Sequence, residues 1–103
     1  MITVQVTYTV KADFVEENIN NINIFITDFK TMLTSKFLYH VCMKDDGLTF
    51  EHIAMFENEE IQKEVLSTPS FVSFQQQRDE KGLITAPVIE ILKHVGSSIS
   101  LIK

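Results

Sequence analysis

The side chains best suited to proton chemistry near pH 7 are few in this sequence: His40, His52 and His94, with Tyr8 and Tyr39 as hydroxyl partners. His52 falls in an alternating segment that puts it on the same side as Phe50, Ala54 and Phe56, and hairpin pairing adds Tyr39 to that side. A neutral imidazole in apolar surroundings, its pKa pushed below the usual ~6.5 by burial, can accept a phenolic proton at neutral pH. The same placement suits a core histidine held by hydrogen bonds to backbone. Tyr8 and Tyr39 could donate to a ligand oxygen from a pocket, or sit at the core boundary with one wet end. Phe71, Phe74 and Gln75 could line that pocket with Val6 and Phe56; packing explains the phenylalanines equally well, whereas Gln75 has fewer reasons to point inward.

Other chemistries are poorly supplied. His40 falls on a mixed sheet face, which suits a contact between subunits. A bulged hairpin would set it opposite His52, but two histidines without a placed carboxylate fall short of the three or four ligands a metal site wants. Neither metal nor cofactor is therefore expected. His94 reads as a strand-end residue, and Cys42, the sole cysteine, as a small hydrophobe in a cytosolic protein without disulfides. No Gly-rich phosphate loop, Ser-centred elbow or Cys/His dyad is present. A net charge of -5 offers no positive stripe to nucleic acid. No apolar run approaches the ~20 residues of a membrane span, and the N-terminal segment alternates like a strand rather than resembling a basic leader.

The elements that must position these residues are clear in the pattern. Ile2, Val4, Val6, Tyr8 and Val10 form one face of a first strand, with Thr3, Gln5, Thr7 and Thr9 on the other. Asp13, with Glu16 reaching back, is placed to cap a helix whose apolar stripe is Val15, Ile19, Ile22, Ile26, Phe29 and Leu33, bordered by Phe14, Phe25 and Met32. Phe37 to Met43 and Leu48 to Glu57 make a hairpin. A type I′ turn at Asp46-Gly47 would pair Asp45 with Leu48 and gather Phe37, Tyr39, Val41, Met43, Phe50, His52, Ala54 and Phe56 on one face. Asn58 caps a second helix, which Pro69 breaks and restarts. A last strand runs from Val88 to Val95 after Pro87, and Ile99 to Lys103 suits a short added strand.

This β-α-β-β-α-β order in 103 residues specifies a single α+β domain of ferredoxin-like type: a four-stranded antiparallel sheet with helices on one face. Its other face, carrying Leu38, Cys42, Ile53 and Met55, is apolar enough to predict a sheet-to-sheet homodimer, with the C-terminal tail pairing to the partner subunit.

Three strings extend the reading. The opening Ile2-Thr3-Val4-Gln5-Val6-Thr7-Tyr8-Thr9-Val10, the strand Phe50-Glu51-His52-Ile53-Ala54-Met55-Phe56-Glu57-Asn58 and the broken helix Val65 to Phe74 together resemble the antibiotic-biosynthesis-monooxygenase family of dimeric α+β barrels. The resemblance runs from Ile2 to about Val95. It implies oxygenation of a small phenolic or hydroquinone-like substrate without metal or flavin, in an apolar pocket between sheet and helices, with His52 as base. The alternative is a non-catalytic dimeric small-ligand-binding or stress-response module of the same fold. Haem-degrading relatives are disfavoured: Gln75 stands where their ligating histidine would be, Val65 where their helix tryptophan would be and Val6 where their strand asparagine would be. Phe56 replaces a tryptophan frequent in the family, and the sequence contains none.

Overall fold

The computed structural model describes residues 1–32 and 34–100. Four strands, β1 (Ile2–Val10), β2 (Phe37–Met43), β3 (Thr49–Phe56) and β4 (Leu83–Leu92), form one antiparallel sheet in the order β2-β3-β1-β4. Helices α1 (Val15–Phe29), α2 (Glu59–Leu66) and α3 (Pro69–Gln77) accompany it, and a π-helical turn, Arg78–Gly82, leads into β4. The ferredoxin-like α+β architecture expected from the patterning is the one observed.

Along β1, Tyr8 and Val10 are buried by an aromatic core of Phe14, Phe25, Phe29, Phe37, Phe50, Phe56, Phe71 and Phe74. The hairpin register is the expected one, running from Phe37 opposite Phe56 to Met43 opposite Phe50. Its turn differs. Asp46 keeps a negative φ, so type I′ is excluded; the Gly47 N–H bonds back to the Lys44 carbonyl, and only Gly47 is left-handed, at φ 72°. Asp46 secures this wider loop by accepting from the backbone N–H groups of Leu48 and Thr49 and from the Thr49 hydroxyl. Lys44 and Thr49 remain partners, which is why the register survives. His40 faces Ile53 across the ladder and is kept apart from His52.

Helix α1 departs from the expected start and face. Ala12–Phe14 form a 3-10 turn, Phe14 takes the N-cap position without a side-chain bond, and Asp13 caps nothing. The buried row is Asn18, Ile22, Phe25 and Phe29, whereas Ile19 is 38% exposed. Burying two phenylalanine rings outweighs burying Ile19, so the helix turns to bring Phe25 to the centre. Leu33 lies outside the described residues. Asn58 caps α2 through Ile61, and α3 begins at Pro69, both as expected.

The fourth strand begins earlier than Pro87 and ends before Lys93. Pro87 sits where the β1–β4 register shifts between Thr7 opposite Val88 and Thr9 opposite Thr85. An edge strand with a bulge tolerates a residue that cannot donate to the ladder. Ile99 and Ser100 are not in a strand, and the rest of the expected tail strand lies outside the described residues.

Gly82 makes the join between β4 and the helical layer. Its carbonyl accepts from the Lys11 N–H at 2.8 Å, and a Cβ here would overlap the ring of buried Phe14. Gly82→Ala should therefore cost about 1–3 kcal/mol through overpacking. Urea unfolding measures this, and an unchanged midpoint would mean that Phe14 moves aside freely.

Candidate active site

The pairing of β1 and β2 with β3 builds the site. His52 lies opposite Val6 on β1 and Val41 on β2. Tyr8 and Tyr39 are each two residues from those partners, hence on the same sheet face and within diagonal reach. Because β1 and β2 both run antiparallel to β3, Tyr8 and Tyr39 approach from opposite ends of the imidazole: Tyr8 pairs with Phe50 and Tyr39 with Ala54. The result is a clamp. The Tyr8 hydroxyl lies 2.7 Å from His52 Nε2, and the Tyr39 hydroxyl 2.7 Å from His52 Nδ1.

The clamp is extended and packed by residues from the helical layer. Asn18 Nδ2 donates to the Tyr8 hydroxyl oxygen at 3.0 Å, while Asn18 Oδ1 is buried without a partner. His52 stacks on Phe74 at 5.4 Å between ring centroids, and Tyr39 meets it edge-on. The guanidinium of Arg78 lies 4.9 Å from the Tyr8 ring centroid and 5.2 Å from that of Phe74, with Nε donating to Asp79 at 3.0 Å.

Neither Asn18 nor Arg78 stood out in the sequence. Asn18 sits on an asparagine-rich helix, yet extending the row Phe29, Phe25, Ile22 back by one turn lands on it. Arg78 begins an Arg-Asp-Glu-Lys run that reads as a solvated face. Its burial follows from the π-helical turn, which no local pattern announces.

An apolar cavity of about 210 Å³ adjoins the clamp. Val6, Tyr39, Phe56, Phe71 and Gln75 line it, together with His52, Ala54 and Gln62. Tyr8 and Phe74 do not line it: both are 1% exposed and packed against His52. The expectation that Tyr8 faces the pocket is corrected accordingly, since its hydroxyl is committed to His52 and Asn18. His40 and Cys42 are exposed on β2, and His94 bonds to Ser97, all outside the cavity lining. Among the described residues, no three His, Cys, Asp or Glu side chains cluster as metal ligands would, and no helix is long and apolar enough to cross a membrane.

Burial holds the clamp uncharged. Desolvation, and secondarily the Arg78 charge, pull the His52 pKa down to about 3. Desolvation raises Tyr8 to about 12 against the opposing pull of Asn18 and Arg78, and raises Tyr39 as well. Both imidazole nitrogens are already paired, so neither is free to accept from a ligand.

Many solved structures are similar over most of the chain, three of them as follows. A crystal structure described as an antibiotic biosynthesis monooxygenase superposes with a TM-score of 0.78 at 10% identity, covering 93% of this chain and 100% of that one. A protein from Mycobacterium tuberculosis gives 0.78 at 13% identity, with 95% and 98% covered. SnoaB, a cofactor-independent oxygenase from Streptomyces nogalater, gives 0.70 at 13% identity, with 94% and 95% covered. The chain has the fold of the antibiotic biosynthesis monooxygenases. No protein-family model and no curated protein matches the sequence. At these identities the likeness is one of fold, and the chemistry must come from the site itself.

The neutral His52 has a consequence for folding. Between pH 6.5 and about 3 the unfolded chain carries a proton on this residue that the folded chain lacks, so acidification favours unfolding. Stability should fall by up to about 1.4 kcal/mol per pH unit below 6.5 from this residue alone. Urea unfolding of wild type and His52→Gln at pH 7, 6, 5 and 4 isolates the contribution; parallel curves would show that His52 titrates normally.

Proposed function

We propose that this protein is a monooxygenase of the cofactor-independent type, acting on a small aromatic, hydroquinone-like or phenolic substrate. What supports this most is the apolar cavity whose polar corner is the Tyr39–His52 pair, in a fold shared with a cofactor-independent oxygenase. A cavity of ~150 Å³ accepts benzene, so about 210 Å³ suits one or two fused rings.

For a phenol with an open para C–H, one oxygen atom of O2 enters the ring and the other leaves as water. The ring becomes a quinone, having supplied all four electrons. The reactive form is the electron-rich phenolate, which would enter the cavity already ionised, its proton left in solution. Tyr39 would stabilise it by donating a hydrogen bond to its oxygen, among largely apolar side chains. In this arrangement His52 holds Tyr39 in place; its expected role as a free base gives way to that of a neutral partner, since an imidazole with both nitrogens engaged and a low pKa is a poor proton sink.

That engagement also favours the second reading, a non-catalytic module binding the same small aromatic ligands. We include in the proposal a homodimer closing over the sheet face that carries Leu38, Cys42, Ile53 and Met55, where Cys42 is exposed, Leu38 and Ile53 are half-buried and Met55 is buried within the single chain. On the helix side of β4, Ile89 and Ile91, which border the cavity, are 65% and 75% exposed.

Oxygen uptake by the purified, metal-stripped protein tests turnover with naphthols and hydroquinones. The expected result is uptake above the uncatalysed rate, reduced at least about tenfold in Tyr39→Phe, with one atom of 18O2 in the product. No uptake with any compound would discard the enzyme and leave the binding module. Light scattering should give twice the chain mass at micromolar concentration; a monomer would remove the dimer.

A further inference from the structure

The hydrogen bonds of the clamp have a direction, and its far end decides what the cavity presents. A neutral imidazole has one N–H and one bare nitrogen, so one tyrosine must donate to His52 and the other must accept from it. Asn18 Nδ2 already donates to the Tyr8 oxygen. The Tyr8 hydroxyl is then free to donate its single proton to Nε2, which places the ring proton on Nδ1, donating to the Tyr39 oxygen. The Tyr39 proton has no partner within the clamp, and Tyr39 lines the cavity.

The reverse direction is worse on two counts. It would leave the Tyr8 hydroxyl proton buried without an acceptor. Rotating the Asn18 amide to accept that proton would instead bury an unpaired amide NH2 in place of the present unpaired carbonyl oxygen, and orphaned N–H groups are the rarer and costlier kind. Arg78 adds an independent bias. It packs on Tyr8, the partner of Nε2, so its charge repels a proton placed on that nitrogen.

We propose that Asn18, acting through Tyr8 and His52, fixes Tyr39 as a hydrogen-bond donor into the cavity. The cavity therefore selects ligands that carry an acceptor oxygen, an ionised phenol or a quinone-type carbonyl, over ligands of equal size that can only donate. Asn18 is a positioning residue, 10 positions from Tyr8 in sequence and absent from the cavity wall. The selection deepens the ligand reading above and rests on this cavity being the binding site; the direction of the clamp does not depend on turnover.

Two measurements test it. The 15N shifts of the His52 ring, assigned against His52→Gln, are read on the resting wild-type protein. A protonated Nδ1 and a bare Nε2 are expected, and a proton on Nε2 overturns the proposal. Binding is then compared for 1-indanone, which only accepts, and indole, which donates through N–H, two bicyclic compounds of similar size. Wild type should prefer 1-indanone by about tenfold, the worth of one net hydrogen bond. Tyr39→Phe should erase that preference. Asn18→Asp, whose carboxylate accepts from Tyr8, should move the ring proton to Nε2 and narrow or invert the preference. Equal wild-type binding, a preference that survives Tyr39→Phe, or no binding of either compound overturns the selection. Should Asn18→Asp fail to fold, the wild-type spectrum still decides the direction. Oxygen uptake reports separately on turnover, so the two ideas fail independently.

Discussion

The burial of one imidazole constrains much of this molecule. His52 is 3% exposed in a core dominated by phenylalanines, and a polar ring there is costly unless both nitrogens find partners. Two tyrosines supply them, and each carries its own hydroxyl into the core, which demands a further partner or an opening. On one side the demand passes to Asn18 on α1. On the other it ends at the cavity. Strand register, the face that α1 turns inward and the placement of the cavity are thus tied to a single buried group. A one-residue slip of β3 against either neighbour would send His52 to the opposite face from that neighbour's tyrosine.

The cavity follows from side-chain size along the same strands. Where β1 carries Tyr8 and β3 carries Phe50, their rings stack at 5.6 Å between centroids and fill the space beneath the helices. Toward the start of β1, the floor is Val4, Val6 and Ala54, too small to reach the roof formed by Leu66, Phe71 and Gln75. The break at Pro69 separates α2 from α3, so that one contributes Gln62 and Leu66 and the other Phe71 and Gln75. Polar groups in the lining are few, Tyr39 and His52 on the sheet and Gln62 and Gln75 on the helices, which suits orientation of a ligand more than strong polar binding.

Much of this was legible in the residues. Alternation in β1 and β3, the cap at Asn58 and the break at Pro69 are local signals, and the structure follows them. The hairpin register was legible even though its turn was not, because opposing apolar faces constrain pairing more strongly than the turn's dihedral angles do. The tyrosine clamp was half visible: His52 and Tyr39 fall on one face by counting, and Tyr8 by alternation, but their mutual hydrogen bonds depend on two pairings at once. Asn18 was hidden by its type, since a polar residue on a mixed helix is assigned to water unless a buried partner is already known. Arg78 was hidden by its charge, and β4 by Pro87, which reads as a boundary and is instead accommodated at a bulge on a sheet edge.

Arg78 gives the site its electrostatic sense. It is the sole arginine, 7% exposed, and its one ion pair within the described contacts is to Asp79, whose side chain is 53% exposed and so well screened. A cation held over the Tyr8 and Phe74 rings makes a second positive charge on His52 unfavourable and any negative charge nearby less costly. Deleting the charge would relax both effects together. A clamp that resists protonation and ends in a donor is therefore matched to an anionic ligand oxygen, and the protein achieves this without placing a charged side chain in the cavity wall.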